Sequence, residues 1–222
     1  MDLGKARIAV LAENQYQELE LWYPLLRFRE EGADVVVIAP STSNVYSSKL
    51  GYPVVADYAV QDADATDYDA VIIPGGFAPE GIRRNSAMLD FIRAVDGRSG
   101  IVAAICHAGW VLASSGVAKG KTATCVPVVK DDVINAGINY VDEPVVRDGN
   151  LITSRLPSDL PVFVAAVKAA LLEAPSRPEQ EAAGRRLGGK NATPEYVSRA
   201  RLVPDARGAG SPNYATVAIS DA

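Results

Sequence analysis

Two cysteines, Cys106 and Cys125, and a single histidine, His107, are the strongest candidates for nucleophilic and proton-transfer chemistry in the chain. Cys106 and His107 stand side by side at the end of an apolar run, Ile101 to Ile105 (IVAAI), and His107 to Ser115 has a helical pattern that Gly116 stops. A thiol at a strand-to-helix junction faces the positive end of the helix dipole and free backbone N–H groups. Both favour the thiolate and predict a lowered pKa. A sharp turn there would present the side chain into a pocket, as a nucleophile elbow does, although Ala104-Ile105-Cys106-His107-Ala108 is not the GxSxG pattern. The competing reading of Cys106 is a buried packing thiol at the end of a core strand. Neighbouring residues do not automatically face one pocket, so pairing His107 with Cys106 requires a turn that brings both together. Cys125 has no helix start or histidine beside it and reads as packing, with a resolving thiol as the alternative.

Two further features bear on such a nucleophile. Pro74-Gly75-Gly76 follows another apolar strand, and its glycines allow close backbone approach. Their N–H groups, with the amide of His107, are candidates for holding an oxyanion, against the plainer reading of a tight turn. Glu20, just after the first strand, is a candidate to hydrogen-bond the sulfur or move a proton if burial raises its pKa. The commoner alternative is a solvated helix residue.

The elements that must position these groups alternate between short β-branched runs and longer helical patterns from Arg7 to about Leu172, which predicts a mainly parallel sheet wrapped by helices. Strands are expected at Arg7 to Ala12, Asp34 to Ala39, Ala70 to Ile73 and Ile101 to Ile105. Helices are expected at Glu18 to Glu31, Ser86 to Val95, Val128 to Ala136 and Leu160 to Leu172, with a hairpin around Asp148-Gly149. Residues 41–68 read as a polar excursion at one sheet edge that carries no chemistry, and the segment between Gly76 and Ser86 reads as a loop. In open sheets of this kind ligands bind outside the carboxyl ends of the strands, where Cys106 lies.

The whole chain, 222 residues with 48% hydrophobic and 22% charged, has the composition of a globular protein. It divides into a compact domain over 1–173 and a Pro/Gly/Arg-rich extension over 174–222, in which Tyr214 to Ile219 alone has the character to dock on the domain or on a neighbouring subunit. Two cysteines without CxxC spacing and an N-terminus without a signal-peptide pattern predict a reducing cytoplasm. No apolar stretch reaches membrane-spanning length, so no membrane partner is expected. The sequon at Asn191 then reads as coincidence. A net charge of −5 argues against nucleic acid as a partner.

Taken in order, AENQYQELELWYPLLRFREEGADV, PGGFAPEGIRRN, IVAAICHAGWVLASSGVAKGK, VKDDVINAG and VVRDGNLITSRLPSDLPVF resemble the PfpI/ThiJ family of the class I glutamine amidotransferase-like superfamily, across residues 6–172. The resemblance implies a flavodoxin-like three-layer α/β/α sandwich, a nucleophilic Cys106 on a strained elbow and Glu20 hydrogen-bonded to it. It also implies that His107 pairs with the cysteine and that Glu80 reaches the site from a neighbouring subunit, so that the protein is a homodimer or larger. Gly76 and His107 match the positions whose amides form the oxyanion site. The chain departs from the pattern in three places: Ala108 replaces a glycine and Trp110 stands where a smaller residue is usual, Val126 replaces a polar or aromatic residue, and the tail from Ala174 has no counterpart. The first implies a narrower pocket and the second a more apolar one.

The resemblance implies a cysteine enzyme without cofactor or metal acting on small carbonyl or acyl compounds, of the glyoxalase III or deglycase type. The alternatives are an intracellular cysteine peptidase or amidase, a redox-sensing or chaperone-like protein, and a hydratase or hydrolase of a specialised metabolite. Fold alone does not choose among these.

Overall fold

The computed structural model describes residues 1–175. The expectations for the extension, including the docking of Tyr214 to Ile219, lie outside the described residues.

The chain opens with β1 (Arg7–Leu11), α1 (Glu18–Glu30) and β2 (Asp34–Ala39). The excursion that follows holds β3 (Val45–Ser47) and β4 (Pro53–Val55), which pair only with each other, and β5 (Tyr58–Ala59). Next come β6 (Ala70–Ile73), α2 (Ala78–Arg84), α3 (Ser86–Gly97), β7 (Ile101–Ile105) and α4 (Gly109–Ser115). The last described part contains β8 (Thr122–Ala123), α5 (Lys130–Asn135), β9 (Asn139–Tyr140), β10 (Val145–Asp148), β11 (Leu151–Ser154) and α6 (Leu160–Glu173).

The main sheet has seven strands in the order β10-β11-β7-β6-β1-β2-β5. Every neighbouring pair is parallel except β10 with β11, which form the hairpin. Burial on both faces explains the near-continuous apolar strands: β6 and β7 are buried at every residue. Helices α1 and α6 cover one face, and α3 and α4 cover the other, giving three layers of the flavodoxin-like kind. The strand order reverses at β1, which has β2 on one side and β6 on the other. The carboxyl ends of β1, β6 and β7 therefore open onto the crevice where such sheets bind ligands. Among the described residues no helix is long and apolar enough to cross a membrane.

The structure corrects the reading of two segments. The expected loop after Gly76 contains α2. Pro79 sits in its first turn, where a missing N–H costs nothing, while buried Ala78 and Ile82 hold the helix to the core. The polar excursion, expected to carry no chemistry, is tied to the loop after β1 and carries Lys49 to the site. Gln15 N–H donates to the Ser47 carbonyl at 2.6 Å, Lys49 N–H to Tyr16 O at 3.0 Å, and Ser48 Oγ–H to Glu18 Oε1 at 2.6 Å.

Candidate active site

β7 runs extended to Ile105, and then Cys106 takes φ +62°, a left-handed conformation uncommon for a residue with a Cβ. Such backbone costs about 1–3 kcal/mol and persists only where its surroundings enforce it. Here the enforcement comes from both sides, since β7 is fixed between β6 and β11, and the turn Cys106–Ala108 leads directly into α4. The reversal lifts the thiol out of the sheet plane. It also brings the imidazole of His107 to the same side, with Nδ1 3.3 Å from Cys106 Sγ.

Glu20 is completely buried. Gln17 caps α1 by accepting the Glu20 N–H at 2.9 Å, which fixes Glu20 in the first turn with its side chain inward. Four residues on, Pro24 has no N–H to offer the Glu20 carbonyl, so the helix forgoes one bond at this turn. Oε2 of Glu20 accepts the Gly75 N–H at 2.7 Å, whereas Oε1 is buried without a hydrogen-bond donor. The carboxyl lies beside the Cys106 thiol. Burial pushes its pKa up to about 7, outweighing the Gly75 N–H and the thiol, both of which act in the other direction.

The sulfur does not have the lowered pKa expected from a helix N-terminus. Burial, and then the charge of Glu20, push Cys106 up to about 12, against the lowering effect of the His107 and Gly76 amides. The expected amide effect has the right sign but is the smaller one. The two acids form one coupled system, and between about pH 7 and about 12 the pair holds a single proton. With that proton on Glu20, the charge that opposes the thiolate is gone, and the Gly76 and His107 amides still face the sulfur.

The glycine turn leaves no room for side chains. A methyl group on Gly75 would stand 2.6 Å from Glu20 Oε2 and 2.8 Å from Cys106 Cβ. Gly76 has φ +74°, and a methyl group there would collide with the backbone of Gln15 and Gln17. The oxyanion expectation divides accordingly. The amide of Gly75 is taken by Glu20, while those of Gly76 and His107 point toward the sulfur.

A cavity of about 520 Å³ adjoins the site, lined by Glu13, Asn14, Gln15, Phe77, Glu80 and Trp110 among others. Trp110 is thus in the wall. Glu80, exposed on α2, faces the cavity and makes no hydrogen bond to His107 in this chain. Val126 is buried, and its N–H donates to the Cys106 carbonyl at 3.4 Å, so it supports the elbow rather than lining the cavity. Cys125 is buried, and burial raises its pKa to about 12, consistent with packing. His107 is half-buried and its pKa is lowered by burial and by Lys49.

Phe77, Lys49 and Asp132 escaped the sequence reading. Phe77 follows the glycine turn directly, and its position was the available signal. Lys49 comes from a segment whose approach depends on hydrogen bonds to a distant loop, which no local pattern encodes. Among the described residues no group of three or more His, Cys, Asp or Glu side chains is placed to hold a metal ion.

The model of the DJ-1/PfpI family matches residues 6–170. A Pyrococcus abyssi protein named as a deglycase is 40% identical over 154 residues, which cover 69% of this chain and 92% of that relative. Deglycase PfpI of Pyrococcus furiosus is 39% identical, with the same shares covered. Among solved structures, Drosophila melanogaster DJ-1beta superposes with a TM-score of 0.70 at 30% identity, covering 75% of this chain and 90% of that one.

Proposed function

The chain belongs to the DJ-1/PfpI family, and on that premise we propose that it is a cysteine-dependent enzyme of small carbonyl compounds, of the glyoxalase III or deglycase type. One observation carries the reading: a thiol on a strained elbow stands beside a buried carboxyl whose pKa burial raises, while two backbone amides face the sulfur. The names of the two Pyrococcus relatives support it.

With methylglyoxal the steps are these. Cys106 Sγ adds to the aldehyde carbon as its proton passes to Glu20, forming the C–S bond of a hemithioacetal. The carbonyl electron pair moves to oxygen, where the Gly76 and His107 amides stabilise it until it takes up a proton. His107, neutral near pH 7 because its pKa is lowered, removes the proton on that carbon to give an enediol. Reprotonation at the neighbouring carbon leaves a lactoyl thioester, and water then releases lactate and returns the thiol. In deglycation the same thiolate attacks the carbonyl-derived carbon of an adduct and the amine departs. The reaction draws on protein groups and water alone.

The contact between Cys106 and His107 also suits acyl transfer, which is the basis of the second reading, a cysteine peptidase or amidase. In it Glu80 of a neighbouring copy would orient His107. A homo-oligomer belongs to both readings and is supported by an apolar stripe on α1: Leu19, Tyr23 and Leu26 follow helical spacing and are 55%, 37% and 57% exposed.

The deciding experiment measures lactate from methylglyoxal without glutathione, with free-thiol controls, in the parent and in Cys106→Ala. Turnover that vanishes in the variant supports the carbonyl reading. Parent protein that makes no lactate yet hydrolyses peptide amides, with loss in Glu80→Gln, moves the assignment to the second.

A further inference from the structure

His107 is half-buried, and among the described residues its imidazole makes one hydrogen-bond contact, to Cys106 Sγ. Among the described residues no carboxylate or carbonyl holds the other ring nitrogen. A histidine that moves protons nevertheless needs a fixed ring, because rotation about its side-chain bonds would carry Nδ1 away from the sulfur. Two aromatic rings supply that restraint. The Phe77 ring centre lies 5.7 Å from that of His107 at 44°, and the Trp110 ring centre lies 5.2 Å away at 63°, nearly edge to face. Trp110 is itself anchored from outside: its Nε1–H donates to Asp132 Oδ2, on α5, at 3.1 Å. The main chain of Phe77 is held in place, its N–H donating to the Gln15 carbonyl at 2.8 Å.

We propose that Phe77 and Trp110 are positioning residues that clamp the imidazole of His107 with Nδ1 toward Cys106, and that Asp132 positions the clamp by holding Trp110. The proposal rests on the reading of His107 as a proton carrier. Both rings pack against His107, and Lys49, whose ammonium lies 5.5 Å from the Phe77 ring centre, holds a positive charge near them. The clamp therefore fixes direction while Lys49 disfavours the imidazolium. Asp132 does not itself line the cavity and meets its wall through the Trp110 indole, so its effect on turnover passes through Trp110.

Because His107 is the chain's one histidine, the imidazole Hε1 resonance of the untagged full-length protein belongs to it. Its NMR position would be measured in the parent, Phe77→Leu, Trp110→Leu, Asp132→Ala and Asp132→Asn, alongside kcat and KM. The parent resonance is expected upfield of a free imidazole and should move back in Phe77→Leu, Trp110→Leu and Asp132→Ala. Asp132→Asn keeps an acceptor for the indole N–H and should restore the parent position. Asp132→Ala should lower kcat about tenfold with KM unchanged, a fraction of the ~10²-fold that misplacement by 1 Å can bring, and Asp132→Asn should recover it.

A parent resonance at the free-imidazole position, or one that ignores both ring substitutions, overturns the clamp. So does an Asp132→Asn variant that behaves like Asp132→Ala. The resonance requires no turnover, so a parent that makes no lactate but shows the displaced, ring-dependent signal keeps the clamp while the carbonyl reading fails.

Discussion

At the scale of single residues, the account turns on one proton held between Cys106 and Glu20. Glu20 has its folded pKa raised from 4.5 to about 7. Between these values the folded state binds more protons than the unfolded, so this contribution to stability is complete below about pH 4.5 and is lost as pH rises through about 7. The difference corresponds to about 3 kcal/mol in full. Urea unfolding should show the parent losing about 2–3 kcal/mol more than Glu20→Gln between pH 5 and pH 8. Parallel pH dependences in the two proteins would mean that Glu20 is not the buried acid described here. In turnover, removing Glu20 as proton carrier should reduce kcat by about 10²–10⁴, read by comparing Glu20→Gln with the parent. Cys106 and His107 were legible in the sequence because their types are rare and their position at a strand end is informative. The sulfur's raised pKa was not, because it depends first on burial and then on a carboxyl 86 positions earlier in the chain, and only the fold creates both.

At the scale of elements, the elbow depends on a second turn packed against it. The positive φ of Gly76 and its closeness to the Gln15–Gln17 backbone predict that Gly76→Ala destabilises the protein by about 2 kcal/mol or more, the sum of backbone strain and a collision with main chain that cannot move aside. Chemical denaturation measures this directly, and a variant as stable as the parent would contradict the geometry of the turn. The central strands were readable almost to the residue because burial on both faces writes them as continuous apolar runs. α2 was missed because Pro-Gly-Gly ahead of it signals a break, while its own seven residues include Pro79 and Gly81 and show too few apolar positions to display a helical period. The excursion that delivers Lys49 was placed correctly at the sheet edge. Its reach to the site arises from tertiary hydrogen bonds rather than from local pattern.

At the scale of the molecule, the strand order reverses beside β1, and the three loops that build the site leave the sheet at that crevice. The alternation of strand and helix conveyed this architecture, because a parallel sheet has few other ways to bury both faces. Assembly was not legible in the same way, since an exposed apolar residue and a buried one look alike in a helix pattern. The α1 stripe makes a specific prediction: Leu26→Glu should shift the mass measured by light scattering toward that of a single chain. An oligomer unaffected by this change would place the contact on another face, and a monomeric parent would remove the neighbouring copy from which Glu80 was expected.

The shared proton is tested most directly by the rate at which iodoacetamide alkylates Cys106, followed by intact mass from pH 5 to pH 10 in the parent and in Glu20→Gln. The parent rate should rise with a midpoint near pH 7, where the pair drops to one proton and Glu20 becomes able to accept the one on sulfur. That midpoint should be absent from Glu20→Gln. Matching profiles in the two proteins, or a parent midpoint at the ~8.5 of a free cysteine, would contradict the claim that Cys106 and Glu20 act as one acid.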